Sequence, residues 1–209
     1  FSENPLVTHD LGFAAGFDAF HEYFPKRLFD ENPRSYPRVA SETTVDDAIE
    51  WLRAHRADPF FLYIHLLPPP CPYPAPQPFG GRFDPDYAGN VHGLPDTLLR
   101  INEGRLAITA RDLEHLTLEY QENLAFGDYQ VGRLLDALDT LGLRRRTLVV
   151  VTADHGEAMR EHGTMLHTTS LYDELLHVPL LVRFPHRVVE LRQVRATIER
   201  SFGLAGPGH

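Results

Sequence analysis

The sequence predicts an α/β fold in a single domain, and three observations carry that expectation. A β-branched run at 148–151 (Leu-Val-Val-Val) stops abruptly in Asp154-His155-Gly156. A second apolar run, 60–66, follows Pro59 and is too short for a helix. Helical periodicity precedes the second run and separates it from the first. Short continuous apolar runs read as strands buried on both faces, as in parallel sheets, and their alternation with helices is the pattern of α/β domains.

Along the chain, the first 40 residues are irregular and rich in aromatics, with Gly12, Phe13, Gly16, Phe17 and Phe20 spaced like packed turns. Thr44 is placed as an N-cap, and Val45, Ala48, Ile49 and Leu52 recur at i, i+3, i+4 and i+7, so a helix is expected to run to about Arg56. Residues 60–66 are expected to form a buried strand. From Pro68 to about Pro95 runs a loop rich in proline and glycine, with Gly80-Gly81 at its middle. Loops of that length are usually functional rims or disordered. A long helix is then predicted, with Leu113, Leu116, Tyr120, Leu124, Val131, Leu134, Leu135 and Leu138 on its apolar face and Gly142 as its stop. Strands follow at 148–151 and 178–184. No internal repeat or domain boundary divides the chain.

Composition narrows the function classes. A net charge of −9 argues against nucleic acid, since Arg144-Arg145-Arg146 is a short surface patch. The lone Cys71 excludes an intrachain disulfide framework. No run approaches the roughly 18 apolar residues of a membrane helix, and no signal peptide is visible. A start at Phe1 fits a mature or excised piece, with periplasmic, extracellular and cytoplasmic locations all open.

The chemistry gathers where the strand at 148–151 ends. In open α/β sheets, ligands collect outside the carboxyl ends of the strands. Asp154 and His155 would point to opposite faces of a continuing strand, but Gly156 lets the backbone turn and both converge on one ion. A carboxylate and a neutral imidazole suit Ca²⁺, Mg²⁺, Mn²⁺ or Zn²⁺. The alternative is an Asp that caps the following turn beside a solvated histidine.

The surrounding motifs resemble those of the sulfatases of the alkaline-phosphatase superfamily. They are Val149-Val150-Val151-Thr152-Ala153-Asp154-His155-Gly156-Glu157, Glu161-His162-Gly163, Leu171-Tyr172-Asp173-Glu174 and 178–185 (Val-Pro-Leu-Leu-Val-Arg-Phe-Pro). Upstream, the helix containing Asp128, Val131-Gly132-Arg133-Leu134-Leu135 and the segment 60–73 are similar too, as are Phe1-Ser2-Glu3-Asn4-Pro5 and the Gly-Phe pairs after it. The resemblance implies an incomplete alkaline-phosphatase-like α/β/α sandwich with a mostly parallel sheet. Residues 1–187 would be part of a sulfatase-type catalytic domain and 188–209 a divergent tail. It implies Asp154 and His155 as ligands of one divalent cation (Ca²⁺, Mg²⁺ or Mn²⁺), and His167 as a catalytic and substrate-binding residue. The implied substrate is a small anionic sulfate ester. His162 matches a frequent family position, with bracing of its loop as the alternative; His65 is expected to be a hydrogen-bonded core histidine, and Tyr172 and Asp173 to cap and pack a helix.

Departures from the family pattern shape the remaining expectations. Pro70 stands where a loop histidine belongs, and Arg160 and Leu166 stand where glycine is common. The Cys- or Ser-x-Pro-x-Arg motif that yields the formylglycine nucleophile is absent from these residues, as is the earlier Asp pair, and Cys71 reads as an inert loop thiol. The resemblance therefore implies a fragment of a metal-dependent sulfuric ester hydrolase that is inactive alone. Three alternatives stand beside it: a phosphoesterase or phosphonate hydrolase of the same superfamily, a non-catalytic relative that binds an anion or a partner, and a stable fragment in which the Asp-His segment is wholly structural.

Overall fold

The computed structural model describes residues 1–24, 41–69, 71–167 and 170–185. Pro70 and the tail 188–209 therefore lie outside the described residues. In chain order the elements are α1 (Ser41–Ala54), α2 (Pro95–Asn102), α3 (Ala110–Thr140), a single 3-10 turn at Arg144–Arg146, β1 (Val149–Thr152), β2 (Ala158–Met159), β3 (Met165–Leu166), α4 (Asp173–Leu176) and β4 (Leu180–Arg183).

At the amino terminus, Ser2 makes parallel bridges to Glu22 on one side and His65 on the other. The Glu3 amide donates to the His65 carbonyl at 3.0 Å and the His65 amide to the Phe1 carbonyl at 2.9 Å. The segment 60–66 is thus extended but joined to the amino terminus only through His65 and the Tyr63 carbonyl, which accepts from the Phe1 amino group at 3.1 Å, and Phe61 and Tyr63 are exposed. This differs from the fully buried strand expected there; its outward residues have no covering layer among the described residues. Glu3 is buried and accepts from the Leu67 amide (2.7 Å) and the Ser41 hydroxyl (2.9 Å), fastening this corner to the start of α1. Helix α1 begins at Ser41, three residues before the expected cap, and Thr44 is a buried residue of its first turn.

The long helix α3 has the two termini its sequence calls for. The Thr109 side chain accepts from the Asp112 amide while Asp112 accepts from the Thr109 amide, a reciprocal capping box. At the other end Gly142 takes φ +70°, its amide reaching Asp139 and that of Leu143 reaching Leu138, which is a Schellman motif. The buried face between these ends corrects the sequence reading. Leu124 is half exposed, whereas His115, Glu119, Glu122, Asn123 and Gln130 are buried. The reason lies in the preceding loop. Glu122 accepts from the amides of Gly81 (2.8 Å) and Phe83 (2.6 Å), Glu119 from Gly93 (2.7 Å), and Asn123 donates to the Pro72 carbonyl (3.2 Å). A long loop needs partners for its backbone donors, and α3 supplies them with carboxylates. The loop beginning at Pro68 is therefore ordered where described, and it ends in α2, a short helix with Pro95 in its first turn that the sequence reading did not separate from α3.

Two apolar clusters hold these parts. Tyr73, Val91, Leu98, Ile101, Leu116 and Met165 join the loop, α2, α3 and β3. Leu52, Leu138 and Leu143 join α1 to the end of α3. Strand β1 pairs antiparallel with β4, Val150 opposite Val182, and β2 pairs antiparallel with β3. Parallel pairing among the described residues is confined to the bridges at Ser2, so the mostly parallel sheet expected from the sequence is represented there by those contacts alone.

Candidate functional site

Strand β1 ends at Thr152, and the backbone turns as the sequence suggested. The Gly156 amide donates to the Leu175 carbonyl at 2.9 Å, drawing the turn against α4. A Cβ at position 156 would collide with the Glu174 carbonyl, so glycine is required by close backbone approach. This turn sets Asp154 and His155 side by side. Asp154 Oδ1 accepts from the His155 amide at 3.1 Å and lies 3.7 Å from His155 Nε2. Its other oxygen lies 3.7 Å from His65 Nε2. His155 Nδ1 is 2.8 Å from the Gly156 carbonyl and must donate to it, which leaves Nε2 as the nitrogen with a lone pair. The carboxylate of Asp154 is largely exposed, and His155 is partly so.

The hairpin β2–β3 brings in His167, directly after β3. Its ring stacks on that of His155, centroids 4.0 Å apart and planes 20° from parallel. His167 Nδ1 donates to Glu157 Oε2 at 2.9 Å, and Tyr73 donates its phenolic proton to Glu157 Oε1, also at 2.9 Å. Glu157 is buried, and its hydrogen bond holds the His167 imidazole above its ordinary range. The sequence singled out Asp154, His155 and His167, and the structure brings those three together. It did not assign a role to Glu157 or to Tyr73. The signal for Glu157 was its place three residues after Asp154, where the turn must return it to the core.

The remaining sequence candidates fall as follows. His65 is hydrogen-bonded, with Tyr63 Oη 3.2 Å from Nδ1 and Asn4 Nδ2 3.4 Å from Nε2, and burial pushes its imidazole below the ordinary range. It also faces Asp154, which the sequence did not suggest. His162 stacks on Tyr172 at 3.6 Å and bonds Glu174 at 2.8 Å, bracing the hairpin against α4. Tyr172 and Asp173 open α4. At Cys71 burial pushes the thiol up to about 12, which disfavours the reactive thiolate. Arg160 and Leu166 have φ of +69° and +72°, the left-handed region that glycine enters freely. That is a conformational reason for glycine at both positions, met here by residues that bear a strain.

Taken as a donor set, the Asp154 carboxylate and the free Nε2 of His155 fit a hard or borderline divalent cation. Beside them lies the His167 ring, whose protonated form the Glu157 hydrogen bond favours. No helix among the described residues is long and apolar enough to cross a membrane.

Comparison with known proteins identifies the family. A family model described as Sulfatase matches residues 4–202. Arylsulfatase K of Bos taurus is 28% identical over 170 residues, covering 68% of this chain and 30% of its own length. Iduronate 2-sulfatase of Homo sapiens is 29% identical over 179 residues, covering 73% and 32%. The chain thus spans about a third of the length of these curated relatives. Among solved structures, the phosphonate monoester hydrolase of Agrobacterium radiobacter aligns with a TM-score of 0.55 at 25% identity, over 69% of this chain and 33% of that one. The phosphonate monoester hydrolase SpPMH from Silicibacter pomeroyi aligns with a TM-score of 0.58 at 21% identity, over 80% and 44%, a likeness of fold. These neighbours have the alkaline-phosphatase-like fold.

Proposed function

Because the chain belongs to the sulfatase family, we propose that it forms one wall of a divalent-metal-dependent site that hydrolyses sulfate esters. Asp154 and His155 are the metal ligands in this reading, and His167 contacts the anionic group of the substrate. The carrying observation is the stack of His167 on His155 with Glu157 behind it, which supports an anion-binding role for His167 beside the proposed metal ligands.

Each residue has a defined task. Asp154 offers carboxylate oxygens and His155 its Nε2, whose lone pair is kept free by the bond from Nδ1 to the Gly156 carbonyl. A divalent cation held there supplies Lewis-acid stabilisation of charge on the transferred group. His167 donates from Nδ1 to Glu157, so in its protonated form Nε2–H is the proton directed away from the core and toward a substrate oxygen. It binds the anion and can pass that proton to a departing alkoxide. Glu157 and Tyr73 are positioning residues, fixing the ring and its charge.

The 209 residues contain no Cys- or Ser-x-Pro-x-Arg nucleophile motif. Residues 1–187 are proposed as part of a catalytic domain and 188–209 as a divergent tail. We therefore expect negligible turnover by these residues alone. A second reading, hydrolysis of phosphonate or phosphate monoesters, is favoured by the likeness to the Agrobacterium radiobacter enzyme at 25% identity.

The test is hydrolysis of 4-nitrophenyl sulfate and of a phenylphosphonate monoester by the intact polypeptide that contains this chain. Preferential sulfate release, abolished by Asp154→Ala or His155→Ala, supports the first reading. Preferential phosphonate cleavage transfers support to the second. Turnover of the aryl sulfate by the 209 residues alone, lost on Asp154→Ala, would overturn the expectation of inactivity.

A further inference from the structure

A separate constellation lies where the long loop returns to α3. His115 and Glu119 stand one turn apart on α3, both buried, and His92 reaches them from the end of the loop. Glu119 Oε2 is occupied by the Gly93 amide at 2.7 Å. Glu119 Oε1 lies 2.7 Å from His92 Nδ1 and 3.2 Å from His115 Nε2, and those two nitrogens are 3.2 Å apart. Among the described residues, this is the trio of histidine, cysteine or carboxylate donors whose ligand atoms converge.

The second layer fixes the first. Asp84 Oδ2 accepts from His115 Nδ1 at 2.7 Å, which assigns the lone pair to Nε2, the atom facing Glu119 and His92. Arg111 bonds Asp84, and its hydrogen bond holds that carboxyl below the usual carboxylate range. Tyr87 lies flat on the His115 ring at 3.6 Å, and Arg111 sits 5.3 Å from the centre of the Tyr87 ring. Tyr87 is itself held by Asp112 at 2.6 Å. The His115 ring can therefore neither rotate nor change tautomer without breaking several contacts.

We propose that His92 Nδ1, His115 Nε2 and Glu119 Oε1 form a binding site for a borderline divalent ion of the Zn²⁺ class, separate from the Asp154–His155 pair. Bond lengths of about 2.0–2.1 Å in a tetrahedron give ligand–ligand edges of roughly 3.3 Å. The three edges here are 2.7, 3.2 and 3.2 Å, so only a small outward movement of His92 is needed to admit the ion. Two imidazoles and one carboxylate favour Zn²⁺ over Mg²⁺ or Ca²⁺, which prefer an all-oxygen shell. His92 is about half exposed (47% of its side chain), leaving an entry path and a fourth position for water. The ion would pin the loop bearing Asp84 and His92 to α3.

The test is Co²⁺ substitution in the full chain carrying Asp154→Asn, read by visible absorption, with Zn²⁺ titrated by calorimetry in parallel. One equivalent of Co²⁺ giving tetrahedral ligand-field bands, displaced by Zn²⁺, is expected. Asp84→Asn should weaken Zn²⁺ binding about 10–100-fold while leaving the bands. His92→Ala, at a half-exposed position, should weaken binding more than that and alter the bands. Absence of the bands in the Asp154→Asn chain, or bands and affinity unchanged by His92→Ala, would overturn the site and leave a hydrogen-bonded clamp. Because the Asp154 carboxylate is removed throughout, failure here is distinguishable from failure of the proposed hydrolase site.

Discussion

Glu157→Gln is the substitution that most sharply separates charge from shape at the candidate site. The amide keeps the volume of the buried carboxylate and can still accept from Tyr73, but it takes away the negative charge facing His167. The His167–Glu157 bond is 2.9 Å long, with 27% of one side chain and 3% of the other exposed. A hydrogen bond between charged partners of this kind contributes about 1.5–3 kcal/mol. Glu157 raises the folded-state pKa of His167 above 6.5, so this stabilisation is fully present below the unfolded value and is lost as pH rises through the raised folded value. At about pH 6 the substitution should lower stability by about 1.5–3 kcal/mol, roughly 3–12 °C in Tm for a chain of this size. At about pH 9 the penalty should vanish or reverse, because a buried charge without a cationic partner is itself unfavourable. Urea unfolding of wild type, Glu157→Gln, His167→Ala and the double variant at both pH values supplies the assay. An equal penalty at the two pH values, or additivity of the two substitutions at pH 6, would refute the charged pair.

Four further outcomes follow from local geometry. Arg160 is exposed at φ +69°, so Arg160→Gly should relieve about 1–2 kcal/mol of strain against roughly 0.5–1 kcal/mol of added chain entropy, a net gain in stability by urea unfolding. Leu166→Gly, at the similar φ of +72°, should instead destabilise, since Leu166 packs against the core cluster of Tyr73 and Met165; a gain there would contradict that packing. Cys71 should resist Ellman's reagent at about pH 8 in the native chain and react at once in urea, and rapid native labelling would contradict the burial that pushes its thiol up to about 12. Gly156→Ala should cost about 1–3 kcal/mol by overpacking against Glu174, and an unperturbed melting temperature would show that the turn has room to spare.

The parts of this molecule that were legible in the sequence are those encoded locally. A glycine with positive φ ends α3, and a β-branched run ending at Asp154-His155-Gly156 marks β1 and its turn, whereas the cap at Thr109 was not read and Thr44, read as a cap, lies inside α1. The extended segment 60–66 was recognised, but its partners were not, because one-sided pairing through His65 depends on where the amino terminus lies. The buried face of α3 was misread at Leu124, because carboxylates that receive loop amides look like solvated residues in a sequence. The same blindness hid the trio of His92, His115 and Glu119. Only His115 and Glu119, at i and i+4, left a local trace; His92 and Asp84 reach them from a loop more than 20 residues away. Glu157 was visible as a motif residue, yet its task appears only once Tyr73 is seen to reach it across the fold.

The most direct test of the hydrolase reading is where a metal binds beside β1. Crystals of the protein grown with Mn²⁺, measured at the manganese absorption edge, would locate the ion by anomalous scattering. The expected result is a peak within about 2.0–2.6 Å of an Asp154 carboxylate oxygen and His155 Nε2, with His167 facing the same space. A fully occupied Mn²⁺ elsewhere, with Asp154 still turned to its own backbone and His155 unligated, would contradict the assignment.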